Sequence, residues 1–280
     1  MIALNDVIKD IDLLDPLPAA AAKLAKIARD WEADINEAVT IIRYDQGLTA
    51  NILRYANSPM GGARYRIAQV RDAVVRLGIH KVLEIAVTAH VRSQMAHPLP
   101  EYGYGKQELW KHSVAAAMAA DVLVSMSKEK KIPPIAFTAA LLHDVGKLVL
   151  ARHLDPPHLK AIAHLIGHHK LTYSDAENEI LGFTHATVGA RVTEVWNLGD
   201  EICEAVSAHH NTGSDDGPTA DAVRICNLAA KTVGCGLGSE GMNVAGDTSA
   251  TERLGLARED FEVLCAEVQT FLPEIEALYS

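Results

Sequence analysis

Residues 139–150 read AALLHDVGKLVL, and this stretch poses the main question about the fold. Nearly all of its residues are apolar or small, which is the composition of a buried helix. His143, Asp144 and Lys147 nevertheless lie within it, and burying an unpaired carboxylate or ammonium group is costly. Either these three side chains form a polar edge that faces solvent, or a bound charge lies among them.

The composition excludes several classes of protein. The chain has 280 residues, a formal net charge of −10 and 49% hydrophobic residues, which is enough apolar material for one large domain or two ordinary ones. Sequence-independent binding to nucleic acid requires clustered Lys and Arg, so an acidic chain is a poor candidate for it. The same charge disfavours binding to an anionic membrane surface.

The termini and the cysteines predict a location. The N-terminal stretch MIALNDVIKDIDLL is acidic and lacks a long apolar core, so we do not expect a signal peptide. No apolar run is long enough to span a bilayer. The four cysteines lack C-x-x-C spacing, which predicts free thiols in a reducing cytoplasm; they are Cys203, Cys226, Cys235 and Cys265.

Helical periodicity predicts an all-α fold, because apolar residues recur at helical spacing along almost the whole chain. The stretch AHPLPEYGYG (96–105) is dense in Pro and Gly and gives the best internal boundary. We therefore expect an N-terminal unit of five helices (1–105) packed on a second helical unit (106–280), which resembles the HD fold introduced below.

Local signals predict where individual helices begin and end. We expect Asp15 and Asp45 to cap helices, Gly78 to end one, and Ser174 with Glu177 to form a capping box. The segment GCGLGSEG (234–241) follows a helix and lacks the Gly-Lys-Ser/Thr ending of a phosphate-binding loop. We interpret it as a flexible connector.

Histidines and carboxylates recur in the second half at positions from which several helices could present them together. They are Glu108 and His112 at i and i+4, the adjacent pair His143–Asp144, His185 in a first helical turn, and His209–His210 at a helix end. Imidazole and carboxylate groups from several helices are the expected ligands of one or two divalent ions such as Fe, Mn, Zn or Ni. An ion would also stabilise ionised Asp144 inside an apolar helix.

Each of these features also has an ordinary structural explanation. A Glu and a His at i and i+4 arise easily by chance in a histidine-rich helical protein. His209 and His210 could be solvated residues at a helix end, where positive charge suits the helix dipole. His143–Asp144 is harder to explain in this way, because both residues lie inside the apolar stretch.

The phrase LLHDVGK resembles the signature of the HD superfamily of metal-dependent phosphohydrolases. The order of the other histidines is similar to the branch that hydrolyses cyclic di-GMP, and Glu108 falls where the trinuclear members have a glutamate ligand. The resemblance implies a ligand set of Glu108, His112, His143, Asp144, His185, His209 and His210. In a hydrolase, Lys147 would contact a phosphate oxygen.

Two departures from that pattern argue against hydrolysis. The family closes its site with an Asp on a late helix, whereas VRICNLAAK (223–231) has Asn227 there. A neutral amide oxygen is a weaker ligand for a divalent ion than a carboxylate. The segment after the His pair reads HHNTGSDDGPTA and lacks the Gly-Tyr-Pro motif that defines the cyclic-di-GMP enzymes.

The first half resembles the HDOD domain, the HD-related output domain. Three phrases match it in order, namely LLDPLP (13–18), IIRYDQGLTANILRYANS (41–58) and AVVRLGIHKVLEIAV (73–87). The resemblance covers about residues 13–212 and implies a bacterial signalling module that acts through protein partners rather than by catalysis.

Two functions are therefore expected as alternatives. The first is a cytoplasmic regulatory module that binds an unidentified signalling protein, with a second copy of the chain as a further candidate partner, and that retains part of an HD-type metal site. The second is a metal-dependent phosphohydrolase acting on a nucleotide or cyclic dinucleotide. The first is favoured because the implied site is one carboxylate short.

Overall fold

The computed structural model describes residues 2–30, 34–127, 132–241 and 246–279. Within these ranges the regular structure is helical, apart from an isolated antiparallel bridge between Leu99 and Tyr104. The predicted all-α fold is confirmed. None of the described helices is both long and apolar enough to cross a membrane.

The first part of the chain contains α1 Leu4–Lys9, α2 Ala19–Ala28, α3 Ile35–Arg43, α4 Gln46–Ala56 and α5 Val70–Met95. Asp45 caps α4 as predicted, because its carboxylate accepts a hydrogen bond from the Leu48 N–H at 2.9 Å. Gly78 interrupts α5 with a φ of 78°, a conformation that glycine adopts without strain. The predicted break at Gly78 is therefore confirmed, although the second helical segment follows at once.

The prediction that Asp15 caps the next helix is wrong. Helix α2 begins only at Ala19 after Pro18, and no side chain caps it. Pro16 and Pro18 lack an N–H group, and the residue before a proline disfavours the helical conformation, so the chain stays extended here. The Asp15 carbonyl instead lies 3.1 Å from His90 Nε2 on α5.

The second part contains α6 Glu108–Met126, α7 Ala136–Leu142, α8 Gly146–Leu150, α9 Pro156–His169, α10 Tyr173–Leu181, α11 His185–Val195, α12 Asp200–Ala208, α13 Gly217–Thr232, α14 Thr248–Leu254 and α15 Arg258–Tyr279. Helix α6 lies at its centre and packs against α7, α13 and α15. Buried alanines from Ala115 to Ala120 allow these neighbours to approach α6 closely.

The part of the chain before the 96–105 segment packs against the part after it. Helix α5 packs against α6 and α7, and α1 packs against α11. The Lys81 ammonium group on α5 contacts Asp121 Oδ2 on α6 at 2.5 Å, and Asp10 Oδ2 lies 3.0 Å from His153 Nε2. One cluster of buried apolar side chains runs through both parts.

Helices α8 and α11 cross at two glycines. A Cβ atom on Gly146 would lie 2.0 Å from the His185 carbonyl oxygen and 2.4 Å from the Gly189 nitrogen. On Gly189 it would meet the Gly146 nitrogen at 3.3 Å. This crossing brings the first residue of α11, His185, beside the start of α8.

We predict that Gly146→Ala lowers the free energy of unfolding by about 3 kcal/mol, because the added methyl group meets backbone atoms that cannot move independently. Gly167→Ala is the matched control, since no atom lies within 4 Å of a Cβ atom there. The control should raise stability by about 0.5–1 kcal/mol because alanine favours a helix interior. Urea denaturation measures both; similar values for the two variants would contradict the close crossing.

Candidate metal centre

His143 and Asp144 lie in a tightened turn between two helices. Helix α7 ends at Leu142, and α8 begins at Gly146. The intervening backbone forms i→i−3 hydrogen bonds, from the Val145 N–H to the Leu142 carbonyl at 2.9 Å and from the Lys147 N–H to the Asp144 carbonyl at 3.0 Å. His143, Asp144 and Lys147 are 0%, 1% and 4% exposed, so they do not form a solvent-facing edge.

Three buried imidazole rings are oriented by backbone carbonyl groups. The contacts join His112 Nδ1 to the Cys235 oxygen at 3.0 Å, His143 Nδ1 to the Ala140 oxygen at 2.6 Å, and His209 Nδ1 to the Val206 oxygen at 2.7 Å. A carbonyl oxygen can only accept a hydrogen bond, so each Nδ1 carries the proton and each Nε2 keeps its lone pair.

These lone pairs face one another. His112 Nε2 and His143 Nε2 are only 3.1 Å apart. Burial lowers the pKa of His112 to about 3, and burial likewise lowers the pKa of His143. Burial lowers the pKa of His209 well below its usual value too. Three neutral rings with converging lone pairs form a ligand set that favours a cation between them.

The Asp144 carboxylate lies at the centre of this group. Its Oδ2 atom is 3.5 Å from both His112 Nε2 and His143 Nε2, and its Oδ1 atom is 3.8 Å from His209 Nε2. Burial by itself would raise the pKa of Asp144. The Lys147 ammonium group, 2.7 Å from Oδ2, outweighs this together with the imidazole rings, and the pKa lies well below the ordinary value.

Two overlapping sets of potential ligand atoms share Asp144. Within each set the atoms lie within 4.8 Å of one another; one set is His112, His143 and Asp144, and the other is Asp144, His185, His209 and His210. His185 Nε2 is 3.2 Å from Asp144 Oδ1 and 3.0 Å from His210 Nε2. The structure thus brings together six of the seven side chains that the resemblance implies.

Glu108 is the seventh, and the structure places it apart from both sets. Its side chain is exposed, and its Oε2 atom accepts a hydrogen bond from the Gly105 N–H at 2.7 Å. This contact lies at the first turn of α6, where a carboxylate suits the helix dipole.

Glu177 orients His185, and the sequence analysis missed this role. Its Oε2 atom accepts hydrogen bonds from the His185 backbone N–H and from Nδ1, each at 2.7 Å. Its Oε1 atom accepts a third from the Tyr102 hydroxyl at 2.6 Å. Burial by itself would lower the pKa of His185, but the Glu177 and Asp144 carboxylates together outweigh it and the pKa is raised. Such carboxylate–histidine pairs commonly orient metal-binding imidazoles.

The predicted capping box of Ser174 and Glu177 is wrong. Thr172 and Asp175 form that box two residues earlier, so α10 begins at Tyr173 and both Ser174 and Glu177 are buried. The sequence contains two overlapping capping-box patterns, Thr172 with Asp175 and Ser174 with Glu177. Only the packing of α10 selects between them. Glu177 lies eight residues before His185, which is too distant for a local pattern to connect them.

The glycine-rich segment 234–241 packs against the site and is not a free connector. A Cβ atom on Gly236 would lie 2.5 Å from His112 Cβ, and one on Gly238 would lie 2.5 Å from the Tyr102 carbonyl oxygen. Both glycines have positive φ values, 59° and 51°. The glycines therefore allow the backbone to approach α6 closely enough for the Cys235 carbonyl to reach His112.

Asn227 lies on the side of α13 that faces the histidines. One turn before it, Arg224 Nε donates to the Ala208 carbonyl, directly before His209. Burial is the largest cause of the lowered pKa of both His112 and His210. The Lys231 ammonium group, one turn after Asn227, lies close enough to lower both pKa values further. Residues at this spacing share a helix face. Asn227 is 8% exposed.

Two buried polar atoms in this region suggest that the site suits an ion. His209 Nε2 and Asn227 Oδ1 have no hydrogen-bond partner within the described part of the chain. Buried polar atoms are seldom left in this state, and each specific case calls for an explanation. The donor set of imidazole nitrogens and a carboxylate fits a divalent transition metal ion.

We predict that Glu177→Ala lowers the free energy of unfolding by about 3 kcal/mol, because three buried donors lose their common acceptor. Glu179→Ala, on the exposed face of the same helix, is the control and should have little effect. Urea denaturation in the presence of a chelator separates this effect from metal binding. Equal losses in the two variants would contradict the role of Glu177.

The sequence is similar to that of a known bacterial protein. A protein of Treponema pallidum (strain Nichols) is 21% identical over 203 residues, which are 71% of this chain but only 39% of that protein. This chain therefore spans about two fifths of its length.

Two solved structures share the fold. An HDOD domain protein with unknown function from Geobacter sulfurreducens is 23% identical, with a TM-score of 0.70, and the match covers 98% of this chain and 96% of that one. A protein named "Putative signal transduction protein" from Marinobacter aquaeolei VT8 is 26% identical, with a TM-score of 0.74, and covers 100% of this chain and 61% of that one. The family model of the HDOD domain matches residues 14–212. The chain therefore belongs to the HDOD domain family.

Proposed function

We propose that this protein is a signalling module that acts through a protein partner and holds one or two divalent metal ions as a structural centre. The ligands are His112, His143, Asp144, His185, His209 and His210. Glu108 takes no part, because its carboxylate is exposed and bound to the Gly105 N–H. The second unit (106–280) would carry the metal, and the first (1–105) would be available to the partner.

One observation carries this proposal: the imidazole rings converge on Asp144 in a region closed to solvent. A bound ion would supply the positive charge that the lone pairs and the carboxylate share. Fe, Mn, Zn and Ni all suit such ligands. His185 would release its Nε2 proton to coordinate, while Glu177 continues to hold Nδ1.

Two features support a structural rather than a catalytic centre. A catalytic metal needs an open coordination position and a route for substrate. Here five of the six proposed ligands are at most 3% exposed, and only His210 is half-buried. Asn227 is the second feature, because a neutral amide stands where the resemblance implies a closing carboxylate.

The relative from Marinobacter aquaeolei VT8 supports the signalling role. Its name describes signal transduction, and it is 26% identical to this chain over the whole chain. This chain covers 61% of that protein, so the relative has further sequence beyond the shared part. A module that passes a signal through protein contacts can occur in chains of such different lengths.

A phosphohydrolase is the second candidate, and Lys147 favours it. Its ammonium group lies 2.7 Å from Asp144 Oδ2 and 3.3 Å from the Tyr104 hydroxyl, beside the proposed ions. In a hydrolase this group would bind a phosphate oxygen. Turnover of bis(p-nitrophenyl) phosphate or a cyclic dinucleotide by metal-loaded protein, abolished by Asp144→Ala, would favour this candidate over the structural centre.

We predict that Asp144→Ala lowers both the bound metal and the thermal stability of protein purified without chelators. Removing the carboxylate leaves the imidazoles without the anion that balances the ion. A ligand present at about a hundred times its Kd stabilises the folded state by about 2.7 kcal/mol, so chelation should lower the Tm of the parent more than that of the variant. Elemental analysis and thermal unfolding measure the two effects.

His80→Ala is the control for Asp144→Ala, because His80 is exposed on α5 outside the metal centre. All variants should be made in a His164→Gln/His168→Gln background, since these exposed histidines on α9 could capture metal during purification. A parent protein in this background that contains no metal and does not respond to chelation would overturn the proposed centre.

We predict that Asn227→Asp tightens divalent-metal binding by about tenfold while destabilising the metal-free protein. A carboxylate at this buried position outcompetes an amide for the ion. Without the ion it is a buried charge that Lys231, one turn away, offsets only in part. Metal titration against a fluorescent chelator gives the affinity, and thermal unfolding in chelator gives the stability.

Asn227→Leu is the matched control, because it keeps the side-chain volume and removes the oxygen. It should leave the metal-free protein at least as stable as the parent, since the unpartnered Oδ1 atom is lost. If Asn227→Asp binds metal no more tightly than Asn227→Leu, then Asn227 does not occupy the closing position of the site.

A further inference from the structure

A second concave site lies mainly on the first part of the chain, closed on one side by Leu278 of α15, and on other helices than the metal ligands. It is a cavity of about 890 Å³ beside the loop that joins α4 to α5. Its walls are apolar at Leu53, Ile67 and Leu278, and its rim carries Arg54, Arg64, Tyr65 and Arg66. We call Arg64, Tyr65 and Arg66 the arginine loop.

The arginine loop is held at both ends by side-chain hydrogen bonds. At one end, Asn57 Oδ1 accepts from the Ile67 N–H and Asn57 Nδ2 donates to the Ile67 carbonyl, each at 2.8 Å. At the other end, Arg76 Nε donates to the Gly61 carbonyl at 2.9 Å, and the same guanidinium contacts the Gly62 carbonyl. A loop fixed in this way loses little conformational entropy when it binds a ligand.

The charge of the loop contrasts with that of the whole protein. The net charge is −10, yet among the described residues the cavity is lined by three arginines and by no carboxylate. Arg54 donates to the Leu278 carbonyl and to Asn51. By contrast, neither a hydrogen bond nor an ion pair joins the Arg64 or Arg66 guanidinium to another residue in the described part of the chain.

We propose that the arginine loop and its cavity bind an acidic segment of a partner protein, with carboxylates on Arg64 and Arg66 and an apolar side chain in the cavity. This inference rests on the proposed signalling function and gives that function a surface. Guanidinium groups bind carboxylates through paired hydrogen bonds. Tyr and Arg are also the residues most enriched among those that dominate the affinity of protein interfaces.

The shape of the site favours a polypeptide over a free nucleotide. Small-ligand sites enclose most of their ligand. Here Tyr65 is 87% exposed, and both arginines of the loop are exposed. A partner that lies over the loop would bury these groups together, as the centre of a protein interface does. A long nucleic acid is disfavoured because the remaining surface is acidic.

The test measures binding of a fluorescein-labelled peptide in which glutamate alternates with leucine, by fluorescence anisotropy with the full chain. We expect Arg64→Ala/Arg66→Ala to weaken binding about tenfold or more, and added salt to weaken binding to the parent. Arg191→Ala/Arg258→Ala is the matched control, since it removes the same charge from exposed helix faces. The control should bind as the parent does.

Each other outcome decides against the proposal. Equal binding by the two double variants, or no binding by the parent at low salt, overturns it. Tighter binding of ATP or oligothymidylate that also depends on Arg64 and Arg66 would assign the surface to phosphates instead. Metal content and phosphodiesterase turnover, measured on the same variants, should not change, so a failure of this inference is distinguishable from a failure of the proposed function.

Discussion

Asp144 holds its carboxylate within 3.8 Å of four imidazole rings and one ammonium group, and nearly all of these groups are inaccessible to water. A buried carboxylate is tolerated only where surrounding groups replace its hydration. The helices that supply these groups are therefore constrained in position and rotation at once. Helices α6, α8, α11 and α12 pack around this charge, and their packing fixes the position of the Asp144 carboxylate.

The groups around the imidazoles show how that constraint is met. Backbone carbonyls hold three rings by Nδ1, and Glu177 holds the fourth. Glycines at Gly146 and Gly236 let backbone segments approach closely enough to supply or support these contacts. Side-chain orientation at the centre thus depends largely on backbone carbonyls and glycines, with the Glu177 carboxylate as the charged exception.

The candidate metal centre and the arginine loop differ in physical character. Five of the six candidate ligands are almost fully buried, a setting that suits the proposed structural ion better than turnover of a substrate. The arginine loop is open, charged and fixed only at its ends. The proposed signalling function would need both a stable body and an accessible surface, and separate parts of the chain offer them.

The sequence by itself determined the helical class, the cap at Asp45, the break at Gly78 and the set of histidines, because each depends on local periodicity or residue type. It could not determine which capping-box register α10 adopts, the ordered packing of residues 234–241, or the exposure of Glu108. Nor could it show that Glu177 serves His185. Only the tertiary structure decided these features. Some depend on contacts between segments that are far apart in the sequence, and others on a choice between two local patterns that the sequence allows equally. Burial, which makes each hydrogen bond or charge consequential, exists only once those segments are packed together.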